Sequence, residues 1–542
     1  MHAHRSRHHS SRPARRRTVG VALLALSGTL AAACSGSGGD NLSNAGIDRD
    51  TTVATQAPAT TTTGGGSEPG VTTTPGDTNA TDTTDITLAD TTVAPPTTVP
   101  TLLDSLPKCD VSVLDAQTSP VEITFWHGLS NENGDKLAAL TEAYNKSQTK
   151  VKVNLQFQGG YNETIDKYLQ SSTGNRPDIV QMPEYMVQQM IDTKSVVPTQ
   201  ACAESAGYDM SAFLPEALGA YATQGVQWSM PFNMSVPVLF FLKPDFVKAG
   251  LDPAQPPQNF QELLDVSKTI VSTGAATYSL ALDSDFDGGG GWYIEQWLSK
   301  GGNFYADNEN GRAAPATKVL YDEAPGLALM TYLQTMVNEG GAVYVGDNAS
   351  GQDTLLQLAN ADAPAAMAVS TSAALGTVLS VLGSGLIPGI TGDDVGIGPM
   401  PGPDNGNGAL VGGNSLYIVD KDPAKVAASW DFMAYLESAQ FQSEFAAASG
   451  YVPVRADALD LEPIKSVYVN DPRFKVAYDQ LLSAVDSPTS SGPVIGPLLQ
   501  VRVVTAAAVA DVLTGGDPQA ALSKAAQDAD DLIANYNLAN GG

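Results

Sequence analysis

Two rhythms of apolar and polar residues alternate along the chain from residue 121 onward. Residues 121–126 (VEITFW) switch between apolar and polar one by one, the period of a half-buried strand. Residues 134–148 (GDKLAALTEAYNKSQ) carry apolar side chains at helical spacing, and 150–158 (KVKVNLQFQ) return to strand alternation. Residues 162–174 (NETIDKYLQSSTG) are amphipathic, and 177–183 (PDIVQMP) form a short, continuous apolar run of the kind a buried strand shows. This strand–helix–strand order predicts an open α/β sheet, in which ligands sit beyond the carboxyl ends of the strands. Trp126, Tyr161 and Glu184 stand at those ends. No Gly-rich phosphate loop of Rossmann or Walker type occurs. The run GGGGW at 288–292 has no Lys-Ser/Thr after it and is read as a flexible loop.

The first hundred residues have a different character. Six arginines between residues 5 and 17 precede an apolar run from 19 to 33, which ends in LAAAC at 30–34. A basic segment, a short apolar segment and small residues before a cut site describe a bacterial export signal, too short to span a bilayer comfortably. Small residues directly before a cysteine resemble a lipobox, so Cys34 is the expected lipidation site and the outer face of the cell membrane the expected location. The arginine run also admits a twin-arginine export route. Residues 34–106, rich in Thr, Gly, Ser and Pro and without aromatics, read as a disordered tether open to Thr glycosylation. Residues 107–542 have globular composition and exceed what one core usually serves, so two lobes are expected.

Charge and rare residues narrow the function classes. The chain holds 29 basic and 58 acidic residues, and cleavage before Cys34 leaves 23 against 58, a net charge of −35. Such a surface argues against nucleic acid as a partner. Four of five histidines leave with the signal, so His127 alone remains. That excludes a His-rich metal site, and any nucleophile–His pair would have to use His127. No metal or cofactor is expected. His127 and Trp126 are read as packing residues near the cleft. Cys109 and Cys202 could form a disulfide outside the membrane or stay as free thiols.

The motifs ITFWHGLSNENGDKLAALTEAYN, GNRPDIVQMPEYMVQQMIDTKSVVPT, MPFNMSVPVLFFLKPDFVKAGLD, NGALVGGNSLYIVDKDPAKVAASWDFMAYL and AAASGYVPVR stand in order between 123 and 455. Together they resemble the extracellular solute-binding proteins of ABC importers, in the maltose-binding-like class. The resemblance is strongest to the glycerol-3-phosphate/glycerophosphodiester-binding subfamily, through FWH, QGGY, MPFNMSVPV, GGNS, SGYVP and LLQVRVV. It implies an α/β, two-lobed periplasmic-binding-protein-like fold with hinge-connected lobes and a central ligand cleft. Lobe 1 is placed at about 120–230 and 418–455, and lobe 2 at about 235–412 and 460–542. The implied ligand-binding set is Tyr161, Glu184, Ser235, Trp292, Ser372, Gly413, Tyr451 and Arg502. Met234 stands where the motif leads one to expect Ser or Thr.

By their chemistry these residues suit a phosphorylated polyol. The Arg502 guanidinium fork is shaped for phosphate oxygens. Ser235, Ser372, Tyr451 and the Gly413 amide supply neutral donors, Glu184 accepts from glycerol hydroxyls, and Trp292 forms an apolar wall. A lone Arg in an apolar helix could instead pair with a buried carboxylate. Trp292, Tyr293, Trp297 and Glu184 could surround a quaternary ammonium. The expected function is therefore capture of glycerol-3-phosphate or a glycerophosphodiester such as glycerophosphocholine. A monomer is expected to do this, and to deliver the ligand to membrane permease subunits by hinge closure without catalysis. The alternatives are a disaccharide or oligosaccharide carrier, a carboxylate-based secreted glycosidase, and a sensor that reuses the binding fold.

Overall fold

The computed structural model describes residues 101–541, apart from 349–350, 404–407 and 485–486. The segment read as an export signal, Cys34 and most of the segment read as a tether lie outside the described residues. The strands in chain order are β1 (Val121–His127), β2 (Val151–Phe157), β3 (Ile179–Pro183), β4 (Val196–Val197), β5 (Ala222–Thr223), β6 (Val226–Gln227), β7 (Met230–Ser235), β8 (Pro237–Leu242), β9 (Tyr278–Leu282), β10 (Val343–Tyr344), β11 (Ala365–Thr371), β12 (Val395–Pro399) and β13 (Gly412–Val419).

They build two main sheets. The first runs β2-β1-β3-β13-β4, with β7 also paired to β13. β1 is parallel to β2 and β3, and β13 is antiparallel to β3, β4 and β7. The second runs β10-β9-β11-β8-β12, parallel through β10, β9 and β11 and antiparallel at β8 and β12. β5 and β6 form a small ribbon. Each main sheet is the centre of one lobe. The early strands form because their alternation sends one face into a core: Ile123 and Phe125 of β1 are fully buried. Helices Asn131–Ser147 and Tyr161–Gln170 make the parallel crossovers between β1, β2 and β3.

The chain passes between lobes where β7 of the first sheet runs through Val236 directly into β8 of the second. It returns between β12 and β13 and passes over once more after Val454, so that helix Val476–Leu482 packs on β8 and β12 and helix Leu498–Leu513 on helix Ala324–Asn338. Val452 is tied to the first crossing, its N–H donating to the Met234 carbonyl at 2.7 Å. Met234 is wholly buried among core apolar side chains, while Ser235, one position on, faces the cleft. Strand alternation therefore explains the methionine: the position belongs to the core.

One boundary departs from expectation, and one open alternative is resolved. The tether was expected to continue to 106, but Leu102–Ser105 form a 3-10 turn, and Leu103 and Leu106 pack against a buried apolar cluster that draws on both sheets. Cys109 and Cys202 are bonded to each other, which ties the segment before β1 to helix Thr199–Ala206.

Candidate functional site

A cleft of about 620 Å³, measured out to its open mouth, lies between the lobes. Its position follows from topology. β3 ends in Pro183 with Glu184 directly after it, β7 ends in Ser235, and Gly413 and Asn414 are the second and third residues of β13, so three neighbouring strands of the first sheet deliver their ends to one wall. The second lobe contributes Ser370 and Thr371 at the end of β11, and the segment Asp285–Trp292 after β9.

Of the eight residues expected to hold ligand, the structure brings Tyr161, Glu184, Ser235, Trp292, Gly413 and Tyr451 together in this wall. Tyr161 opens its helix, and its hydroxyl lies 3.4 Å from that of Tyr451 and accepts from the Asn233 amide at 3.3 Å. Tyr451 stacks on Phe445 at 5.7 Å, which fixes its ring. Gly413 has φ +99°, and a Cβ there would lie 2.0 Å from the Asn233 carbonyl oxygen. Only glycine fits, which lets backbone form the floor. Gly412 likewise clears space for the Trp292 ring.

Ser372 is buried one position past the lining residue Thr371, and its hydroxyl accepts from the Val236 N–H at 3.4 Å. It supports the lobe crossing and is outside the wall. Arg502 departs further from expectation. It lies behind the wall in helix Leu498–Leu513, 0% exposed. Its Nε and Nη2 form a fork onto Glu295 at 2.7 and 2.8 Å; Nη2 also reaches Glu184 at 2.9 Å, and Nη1 reaches Asp287 at 3.2 Å. The Tyr185 ring lies 5.0 Å away and covers one face. In this arrangement the guanidinium serves three carboxylates and presents no edge to the cleft, so phosphate capture by Arg502 is not what the geometry shows. The physical reason is charge burial: a sealed arginine needs carboxylates around it.

The 288–291 run also differs from the flexible loop expected. All four glycines are buried; a Cβ on Gly291 would meet the Phe286 carbonyl oxygen at 1.9 Å, and one on Gly290 the Ser284 oxygen at 2.4 Å. The missing side chains let this turn close tightly against helix Leu498–Leu513. Of the aromatics considered for an ammonium, Trp292 and Tyr293 line the cleft, whereas Trp297 turns away and donates its indole N–H to the Pro401 carbonyl. His127 is buried between Phe125 and Phe157 and outside the wall; burial lowers its pKa to about 4.

Sequence reasoning missed Asp285, Asp287, Asn348, Ser370, Thr371 and Asn414. The repeat DSDFD ahead of the glycines was the available signal for the two aspartates. They make the cleft acidic. Burial, aided by the Asp283 charge, pushes the Asp285 carboxyl up to about 7. Burial raises Asp287 well above the carboxylate range, Glu184 adding to the effect and Arg502 opposing it. Glu184 is also raised, by burial and by Glu295 against the pull of Arg502. One guanidinium thus faces Glu184, Asp287 and Glu295, and Asp285 stands beside them. Among the described residues, no group of three or more His, Cys, Asp or Glu is arranged to hold a metal ion, and no helix is long and apolar enough to cross a membrane.

Two sheets, repeated chain crossings between them and a cleft walled by strand ends define a ligand-capturing protein of the periplasmic binding class. The chain belongs to the bacterial extracellular solute-binding protein family, which it matches over residues 139–476. It is a solute-binding protein of an ABC importer, whose partners are a small-molecule ligand and membrane permease subunits. It is 28% identical over 427 residues to the sn-glycerol-3-phosphate-binding periplasmic protein UgpB of Pectobacterium atrosepticum, covering 77% of this chain and 92% of that one. Against UgpB of Escherichia coli O1:K1 it is 27% identical over 426 residues, 76% and 93% of the two chains. In fold it is similar to UgpB of Mycobacterium tuberculosis in complex with glycerophosphocholine (TM-score 0.61, 20% identity, 78% of this chain and 100% of that one). It is also similar to the cyclic alpha-maltosyl-1,6-maltose binding protein of Arthrobacter globiformis (TM-score 0.60, 19% identity, 77% and 100%).

Proposed function

We propose that this protein captures a glycerophosphodiester with a cationic head group, glycerophosphocholine being the type, and passes it to its permease by hinge closure without catalysing a reaction. The observation that carries this reading is the charge of the cleft. Its carboxylates outnumber its one guanidinium, and that guanidinium is sealed behind the wall. A phosphate monoester bears up to two negative charges; it finds no free guanidinium there, and Asp285 repels it when ionised. A phosphocholine diester is neutral overall and brings a permanent cation, for which Trp292, Tyr293, Tyr161 and Tyr451 supply aromatic rings in the wall and Asp285 a carboxylate. The single phosphodiester charge needs only neutral donors, and Ser235, Ser370 and Thr371 have hydroxyls in the wall. The names of the UgpB relatives support a glycerophosphate ligand class.

The second reading is a disaccharide or oligosaccharide, since carboxylates and aromatic faces also suit sugar hydroxyls and rings; the maltose-binding neighbours favour it. In either case Cys34 is proposed to carry the lipid that holds the domain at the outer face of the cell membrane, and the unit that binds is a monomer.

Calorimetric titration of the mature protein separates these readings. Glycerophosphocholine is expected to bind, with glycerol-3-phosphate at least tenfold weaker and maltose silent. Tighter binding of glycerol-3-phosphate would overturn the argument from cleft charge. Heat from maltose alone would replace the substrate class.

A further inference from the structure

Asn414 occupies the third position of β13 and lines the cleft at 0% exposure. Both ends of its carboxamide, Oδ1 and Nδ2, are buried and have no hydrogen-bond partner among the described residues. The contrast with its cross-strand neighbour is direct. Asn233, paired to Asn414 in the sheet, spends both ends: Oδ1 accepts from Gln181 Nε2 at 2.8 Å and Nδ2 donates to the Tyr161 hydroxyl at 3.3 Å. A buried carboxamide left unpaired is costly, and such groups persist where a ligand satisfies them. The Trp292 indole N–H, also in the wall, is a second buried donor without a partner among the described residues.

We infer that Asn414 is a specificity-determining residue that reads a pair of adjacent hydroxyl groups on the ligand. A carboxamide holds a donor and an acceptor side by side in one plane. A vicinal diol matches it, one hydroxyl oxygen accepting from Nδ2 while the other hydroxyl donates to Oδ1. A phosphodiester or a quaternary ammonium cannot fill both roles: the first only accepts and the second does neither. The inference deepens the substrate reading above and rests on it for the source of the diol, the glyceryl end of the phosphodiester. A sugar ring offers the same chemistry.

The test pairs two ligands and one near-isosteric variant, Asn414→Leu. Wild-type protein is titrated with glycerophosphocholine and with 3-hydroxypropyl phosphocholine, which lacks the second hydroxyl. The diol is expected to bind about tenfold tighter, the size of one to two net hydrogen bonds. Asn414→Leu should abolish that tenfold preference, so that the two ligands bind alike. Equal loss for both ligands, or no preference in the wild type, overturns the inference. A second readout needs no ligand: without a buried unpaired amide, the ligand-free variant should melt higher than the wild type. A lower melting temperature would show that Asn414 has a structural partner and would also overturn it. If glycerophosphocholine gives no heat, the choline reading fails by itself, and the melting comparison still decides the role of Asn414.

Discussion

Arg502→Leu is expected to destabilise the ligand-free protein by about 3–5 kcal/mol, the scale for removing one partner of a buried ion pair. The arginine is 0% exposed and holds Glu295 through a two-pronged contact, with Glu184 and Asp287 on its remaining edges. Without it, three carboxylates share a buried space with no cation, and each must take up a proton or open the site to water. Urea unfolding, read by the midpoint and slope, measures the loss. Arg502→Lys keeps the charge but not the fork, and should recover only part of it. Geometry supplies a further consequence. Glu184 follows β3 in the first lobe, while Glu295, Asp287 and Arg502 belong to the second, so the 2.9 Å Arg502–Glu184 contact joins the lobes. Glu184→Gln should leave the second-lobe pairs intact and weaken closure, which small-angle scattering of the ligand-free variant would detect as a larger radius. If Arg502→Leu instead kept full stability and lost only ligand, the arginine would be a ligand contact and the cleft would have to rearrange to expose it.

This contrast shows what the chain's own pattern could and could not reveal. The strands at 121–126, 150–158 and 177–183 agree with β1, β2 and β3 to within two residues, because one-by-one alternation against a core has few other solutions. Tyr161 and Glu184 were legible as cleft residues because each follows a strand end, where open α/β sheets bind ligand, whereas Ser235 and Gly413 came from the resemblance of MPFNMSVPV and GGNS to family motifs. The position of Arg502 was not legible. Its helix reads as apolar with one cation, and the three carboxylates that claim it lie 318, 215 and 207 residues away along the chain. Whether an arginine faces ligand or protein depends on those distant partners, which no local pattern encodes. Asp285 and Asp287 were missed for a related reason: the glycines beside them looked like a loop, and only the fold shows that the run is a packed turn pressing both aspartates to the cleft.

The acidity of the cleft makes ligand affinity depend on pH in a direction that separates the substrate classes. Asp285 has its pKa raised to about 7 by burial and by the Asp283 and Asp347 charges. A permanently cationic ligand binds the ionised form better, so its affinity is full above that value and falls as pH drops through it, with a proton released on binding near the midpoint. At pH 5.5 only about one site in thirty is ionised, so if the ionised form alone binds, glycerophosphocholine should bind about thirtyfold more weakly there than at pH 8.5. Neither choline nor a phosphodiester titrates in this window, so the dependence belongs to the protein. Asp285→Asn should flatten the profile and hold affinity near its low-pH value throughout. A neutral sugar, able to hydrogen-bond to either form of the carboxyl, should give a nearly level profile. Glycerol-3-phosphate should bind better as pH falls, because protonation removes the repulsion. Titrations from pH 5.5 to 8.5 in buffers of different ionisation enthalpy would measure both the affinity and the proton count, and a profile that rises toward acid for glycerophosphocholine would rule out a carboxylate–ammonium contact at Asp285.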